Sequence, residues 1–360
     1  MAAPSATLTA QAQAQIRIDQ RGRSELAFLR QMRGALLPLR QDVRAALETA
    51  GVLAGESGAD ITALRNAAAP VLADLPEQRV VGSVLRWCRD QTTPRAVAAF
   101  ERSRADLEPL ASVPAGLVED LLGDEVPRYW DYEFHGTAGG WDGHEHMGFI
   151  HFELVYKYLL MAAYGNNIFA LRKQVAEAAP RSGYRRILDL GAGTGQYTMM
   201  LAEAYPEAEI TALDPSRTSL NYAKRRSLDA GLNWRCVRSL AEKTGLPDAS
   251  FDLVTSFILL HEVPPHITRA ILAESLRLLE PGGEIHFSDV TPYRACEPYK
   301  AWNDDWDAEH GNEPWWRTAA TAQLGEWAEA AGFVDITEGA LTPDGVYPWI
   351  LTARKPLENA

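Results

Sequence analysis

Apolar positions in the first third of the chain recur every three or four residues. Leu26, Leu29, Met32, Leu36 and Leu37 form one stripe, and Val43, Ala46, Leu47 and Ala50 a second before Gly51. The pattern resumes after a loop at 54–60 with Ile61, Leu64 and Ala68, stopped at Pro70. Val80, Val84, Leu85 and Cys88 mark another helix, and Ala96, Ala99 and Phe100 one more after Pro94. Such spacing gives each helix one apolar face, so residues 16 to about 122 are expected to be helical throughout. No strand alternation and no internal repeat interrupts them. Residues 1 to about 15 carry no periodicity and read as a frayed start.

Further on the period changes. A helix is expected over 152–178. Ile187, Leu188 and Leu190 are then a short apolar run bounded by glycine, the pattern of a buried parallel strand, followed by Tyr197, Met200 and Leu201 at helical spacing. Strands at 209–216, 233–237, 250–258 and 284–289 alternate with helical stretches, and a helix at 321–331 precedes a strand at 333–337. This alternation predicts an α/β fold with a doubly wound parallel sheet and right-handed crossovers.

The chain has 360 residues, more than one domain usually holds, so two units are expected. A net charge of −13 argues against a nucleic acid partner, whose phosphates call for basic patches. Cys88, Cys236 and Cys296 lie far apart without metal-ligand spacing and read as ordinary reduced thiols. With no leader pattern and no apolar run of ~20 residues, the expectation is a cytoplasmic protein without a membrane partner.

Chemistry concentrates first at residues 187–198. Gly191, Gly193 and Gly195 allow a tight turn and close backbone approach between strand and helix, a geometry that holds nucleotide-like ligands. Gln196 departs from the dinucleotide fingerprint, and the absence of Lys after Gly195 departs from the phosphate loop. Asp189 would repel a pyrophosphate and suits a ligand carrying an ammonium group.

Asp189, Gly191, Gly193 and Gly195 match D/E-x-G-x-G-x-G throughout. At these residues the chain resembles the class I S-adenosylmethionine (SAM)-dependent methyltransferases, in particular the small-molecule, ubiquinone–menaquinone-like type. The resemblance covers about residues 180–340. It implies SAM as cofactor and a seven-stranded Rossmann-like sheet, here preceded by an all-helical N-terminal domain. It implies cofactor contacts at Asp189, Gly191, Ala192, Gly193 and Gly195, and ribose binding at Asp214 with Pro215. Ser256 and Phe257 would stand beside the sulfonium. At Ser239 the chain departs from the family, which often carries an acid there for the adenine amino group; the Leu240 N–H is the expected substitute.

Two further segments combine rings with ionisable groups. Residues 127–153 interleave Tyr132, Phe134 and Trp141 with His135, His144, His146 and His151, and glycines mark the stretch as a loop. His144 and His146 raise a metal reading, but no helical metal-ligand spacing supports it, and no metal is expected. Aromatic faces near a sulfonium have a physical reason, since a ring quadrupole attracts a cation. Residues 293–317 carry Trp302, Trp306 and His310 and are expected as a second pocket wall, or as core packing against the N-terminal helices. Tyr132, Trp141, Trp306 and His310 are the substrate candidates. His261 is the first candidate base, because histidine titrates near neutrality; His135 and His146 follow.

The expected organisation is a helical domain over 1–125, serving as lid, substrate wall or contact with a second copy, a connecting segment over 126–180, and a SAM-binding domain over 181–360. The expected function is methyl transfer to O, N or C of a small molecule. The competing reading is a SAM-binding interaction module whose chemistry is lost or altered.

Overall fold

The computed structural model describes residues 16–357 apart from 56, 57, 59, 125, 162–166, 343 and 344. The expected frayed start at residues 1–15 lies outside the described residues. Among the described residues no helix is long and apolar enough to cross a membrane.

Among the described residues the first five helices are Gln20–Gly34, Leu37–Thr49, Ile61–Ala73, Pro76–Arg102 and Arg104–Ala111. Asp60 starts the third by accepting from the Thr62 N–H at 2.8 Å. Pro70 and Pro94 were expected at helix boundaries but lie inside helices. An internal proline costs about 3 kcal/mol. Full burial of Cys88, Ala96, Ala99 and Phe100 around Pro94 offsets that cost.

One central sheet follows, with β1 (Val118–Asp120), β2 (Arg186–Leu190), β3 (Glu209–Asp214), β4 (Arg235–Arg238), β5 (Phe251–Phe257), β6 (Leu279–Asp289), β7 (Val334–Ala340) and β8 (Trp349–Arg354). Their spatial order is β1-β4-β3-β2-β5-β6-β8-β7. Strands β1 to β6 run parallel, and β8 is antiparallel to both β6 and β7. The chain winds outward through β2, β3 and β4, then returns to place β5 beside β2. This reversal opens a crevice above the carboxyl ends of β2 and β5, where open α/β sheets hold their ligands.

The sheet has eight strands rather than the expected seven. The addition is β1, inside the stretch expected to be helical throughout. Three residues are too few to leave an alternating pattern, and they pair because β4 otherwise presents an open edge. Arg235 fixes the pairing by bonding Glu119 at 2.8 Å, and Arg238 reaches Asp120 at 3.1 Å.

The helix expected over 152–178 is divided. Met147–Phe149 leads into a wider π-helix over Ile150–Leu160, and Ile168–Glu177 is a separate α-helix. A π-helix brings residues five apart onto neighbouring positions of one face, which an α-helix points well apart. His151 and Tyr156 meet this way, with ring centroids 5.0 Å apart. Residues 293–317, expected as a pocket wall or as core packing, contain a helix over Pro298–Gly311. The helix expected at 321–331 is Leu324–Ala331, and a separate short helix over Trp316–Thr321 precedes it.

The N-terminal helices share their core with the sheet. Leu26, Leu29, Cys88 and Phe100 belong to one buried cluster with Phe149, Phe152, Ile187 and Leu253. Val43, Leu47, Ile61 and Leu64 belong to another with Val290, Tyr293 and Trp302. Each large apolar side chain buried this way stabilises the fold by about 1.5–3 kcal/mol. A chain starting near residue 155 would expose these faces and is expected to aggregate. Size-exclusion chromatography with circular dichroism checks this; a monodisperse, folded fragment would show that the halves stand alone.

Candidate functional site

The turn after β2 is set by glycines for different reasons. Gly191, Gly193 and Gly195 have φ of +66°, +52° and +76°, a region that side chains strain. A Cβ at Gly195 would lie 2.8 Å from the Trp234 ring, so this glycine serves packing. At Gly193 nothing lies within 4 Å, and the backbone faces open space.

Two buried acids flank that turn. Asp189, 1% exposed, accepts from the Thr198 hydroxyl at 2.6 Å. Asp214 accepts from the Gly193 N–H at 2.9 Å and the Ser216 N–H at 2.8 Å. Burial pushes the Asp189 carboxyl up to about 7, against the Thr198 bond and helped by the Asp214 charge. Burial likewise pushes Asp214 up to about 7, against its two backbone bonds and helped by Asp142 and Glu262. Both acids therefore have unmet capacity for a donor or a cation. The Thr194 hydroxyl nearby is buried without a partner.

A cavity of about 700 Å³ spans the crevice. Of the residues proposed from sequence, Asp189, Gly191, Ala192, Gly193, Asp214, Pro215, Leu240, Phe257, His261, His135 and Trp141 line it. Gly195, Ser239, Ser256, Tyr132, His146, Trp306 and His310 do not. Ser239 turns its hydroxyl to the Lys243 carbonyl at 3.3 Å, and the Ser256 hydroxyl is buried inside β5 without a partner.

Over the ends of β5 and β6 the cavity wall is ionisable. His261 is 4% exposed, and its Nδ1–H donates to Asp289 Oδ1 at 2.8 Å. Asp289 is held in turn by the Leu260 and Val290 N–H groups at 2.6 and 2.8 Å. That leaves Nε2 on the other side of the ring, 3.6 Å from Glu313 Oε2. Burial opposes a charge on His261, yet Asp289, Glu313 and Glu262 lift its pKa to about 9. The titration expected near neutrality is thus displaced upward by neighbouring carboxylates. His135 Nδ1 lies 3.1 Å from Glu313 and Nε2 3.5 Å from Glu262. Burial again opposes its charge, and these acids raise it to about 10. His151 faces no carboxylate: burial, then the His135 charge, lower it to about 3, so it stays neutral.

The sequence candidates away from the cavity are held elsewhere. His146 pairs with Glu108 at 3.2 Å on the outer face. Glu108, Glu145 and His146 approach closely enough to share an ion, but Arg104 already pairs with both carboxylates, at 3.0 and 2.9 Å. Trp306 stacks on His310 at 3.8 Å and packs over Gly82 of the N-terminal helices. Tyr132 is largely exposed and stands 4.9 Å from Trp315.

Several cavity groups escaped the sequence reading. Glu242, bonded by the Tyr129 hydroxyl at 2.5 Å, brings an acid into the cavity three residues after Ser239. Arg172 enters from the helix Ile168–Glu177 and lies 4.4 Å over the Phe257 ring. Glu313 bridges two histidines from different walls. Asp289, which stands behind His261, had a usable signal as the acid that ends the strand pattern at 284–289.

A family model described as a methyltransferase domain matches residues 187–283. The ubiquinone/menaquinone biosynthesis C-methyltransferase UbiE of Desulfotalea psychrophila is 36% identical over 121 residues, covering 34% of this chain and 48% of that protein. The malonyl-[acyl-carrier protein] O-methyltransferase of Methylococcus capsulatus is 32% identical over 200 residues, covering 54% of this chain and 70% of that protein. The chain thus spans about half the length of the first relative and more than two thirds of the second. Among solved structures, the apo form of the S-adenosylmethionine-dependent methyltransferase SibL aligns over 90% of this chain and 96% of that one, with TM-score 0.48 and 19% identity.

The raised acids have a consequence for stability. Asp189 has a folded pKa of about 7 against an ordinary 3.8, so its protonated form favours folding. That contribution is complete below pH ~4 and is lost as pH rises towards 7. Asn at this position can still accept from Thr198 and never ionises. The ligand-free Asp189→Asn protein is therefore expected to gain about 1–2 kcal/mol over wild type at pH 8 and little at pH 4.5. Denaturant unfolding at the two pH values checks this; a gain independent of pH would contradict it.

Proposed function

The chain belongs to the class I SAM-dependent methyltransferases, and we propose that it transfers the methyl group of SAM to an O, N or C atom of a small molecule held between segments 127–153 and 293–317. The observation that supports this reading best is the His261–Asp289 pair at the cavity wall. Relatives named for C- and for O-methylation leave the acceptor atom open. Three buried, free cysteines accord with a cytoplasmic setting.

SAM supplies an electrophilic methyl group on a sulfonium. Asp214 takes the ribose hydroxyls, and Asp189 the ammonium end, which restores the charge that burial disfavours. Glu242 fills the place of the family acid that bonds the adenine amino group, and the Arg172 guanidinium suits the cofactor carboxylate. Donors to Asp214 are held by a charge-assisted bond, so Asp214→Ala is expected to weaken SAM binding by about 1–3 kcal/mol. Calorimetry measures it, and unchanged affinity would remove the ribose assignment.

Methyl transfer is an in-line displacement in which positioning does most of the work. The chain must align the acceptor, exclude water and take up a proton where the nucleophile carries one. His261 suits the last task. Its Nδ1–H is committed to Asp289, so the neutral ring presents Nε2 as the proton acceptor, and the resulting imidazolium is stabilised by Asp289 and Glu313. Aromatic walls from Trp141, Trp316 and Phe134 keep water out.

A base with a pKa of about 9 is mostly protonated at neutral pH, so turnover should rise with pH as His261 loses its proton. A bound sulfonium is a further positive charge and moves that limb below 9. His261→Ala is expected to lower turnover about a hundredfold, leave SAM affinity unchanged and abolish the rising limb. S-adenosylhomocysteine release with a metabolite panel provides the assay. Wild-type turnover in the variant would make His261 a packing residue and His135 the next candidate; no turnover with any metabolite would favour an interaction module.

A further inference from the structure

Asp142 belongs to the glycine-rich segment, yet its bonds all go to another element. Its Oδ1 accepts from the Ser216 hydroxyl at 2.7 Å and the Thr218 N–H at 3.0 Å, and its Oδ2 from the Arg217 N–H at 3.2 Å. These groups open the helix Arg217–Asp229. The Thr218 hydroxyl lies 3.0 Å from both Asp142 Oδ1 and the Trp141 carbonyl, and accepts from the Gly148 N–H at 3.3 Å. A Cβ on Gly148 would clash with the Thr218 carbonyl, so the two segments are in close contact there as well.

The same turn carries the ribose acid. The Ser216 N–H donates to Asp214 while the Ser216 hydroxyl donates to Asp142. Trp141, next to Asp142, lines the cavity, with its ring 4.7 Å from His151 and 5.9 Å from His135. The helix does not need Asp142 as its only cap, since the Ser216 hydroxyl already accepts from the Ser219 N–H at 3.1 Å.

We propose that Asp142 is a positioning residue that moors segment 127–151 to the start of helix Arg217–Asp229, and so sets both the Trp141 wall and the charge environment of Asp214. The inference rests on Asp214 holding the cofactor ribose. A carboxylate at a helix N-terminus is attracted by the exposed N–H groups and the helix dipole, which gives a glycine-rich segment a defined anchor. The same charge works on Asp214. The groups facing Asp214 are Asp142 from the segment, Glu262 after β5 and Asp189 at the end of β2, while Arg238 of β4 bonds the Pro215 carbonyl at 3.0 Å. Burial is the larger reason that Asp214 stays protonated to higher pH, and these acids add to it. Cofactor binding therefore weakens as pH falls through the Asp214 titration, and removing the Asp142 charge moves that weakening to lower pH.

The test uses the full chain. S-adenosylhomocysteine binding is measured by calorimetry between about pH 5.5 and 8.5. Asp142→Asn is expected to shift the acid limb down by about half a pH unit or more. Asp142→Glu keeps the charge and should keep the limb, while its longer side chain displaces the segment and lowers kcat. Loss of a helix cap alone would lower the melting temperature and leave the limb in place. Mooring is read separately by cleavage with a Glu-specific protease after Glu133 or Glu145, expected to be about tenfold faster in Asp142→Asn and in Thr218→Val. An unmoved limb in Asp142→Asn together with wild-type cleavage would overturn the proposal. If Asp214→Ala binds as wild type does, the ribose assignment fails instead, and cleavage alone decides the mooring.

Discussion

Two carboxylates are kept under a glycine turn where burial works against their charge, and much of the molecule exists to hold them there. Asp189 is fixed by Thr198, and Asp214 by the Gly193 and Ser216 N–H groups. The turn adopts positive φ at three places so that its backbone reaches Asp214 while leaving space above Gly193. The energetic consequence is a site that is under-satisfied when empty and gains from a ligand rich in donors. Stability given up at such a place is a common counterpart of binding function.

The second half of the cavity follows another logic. Its ionisable groups neutralise one another: Asp289 with His261, and Glu313 between His261 and His135. These residues come from β6, from the turn after β5, from the helix-bearing stretch after β6 and from the glycine-rich segment. Carboxylates outnumber the imidazoles, so both rings are lifted above their ordinary range, His261 despite its burial. His151, which lines the same cavity with no acid acting on it, moves in the opposite direction. The contrast shows that charge partners, rather than depth, decide the sign in this wall.

The N-terminal helices pack against that wall. Phe100 stands against Phe149 and the two histidines His144 and His146, which fixes the end of the glycine-rich segment. Trp302 and Trp306 face the N-terminal helices, and this packing turns Lys300 and Asp304 of the same helix towards the cavity. The two candidate walls named from composition thus divide their residues between core and cavity.

Local chemistry was enough to locate the glycine turn and the two acids beside it. A short apolar run, three glycines and two acids at fixed separations specify a strand, a turn and the ends of two neighbouring strands, because each of these depends on residues close in sequence. The same holds for the strand–helix alternation and hence the doubly wound sheet. What the sequence could not determine depended on contacts between distant residues. β1 is a strand only because the edge of β4 is available, Pro94 sits inside a helix only because both sides are buried, and the π-helix has no signature in its apolar spacing. His135, His146 and His261 differ in setting because folding surrounds each with different carboxylates. A histidine's titration is set by what lies within a few ångströms in space, and for this wall those neighbours come from four separate parts of the chain.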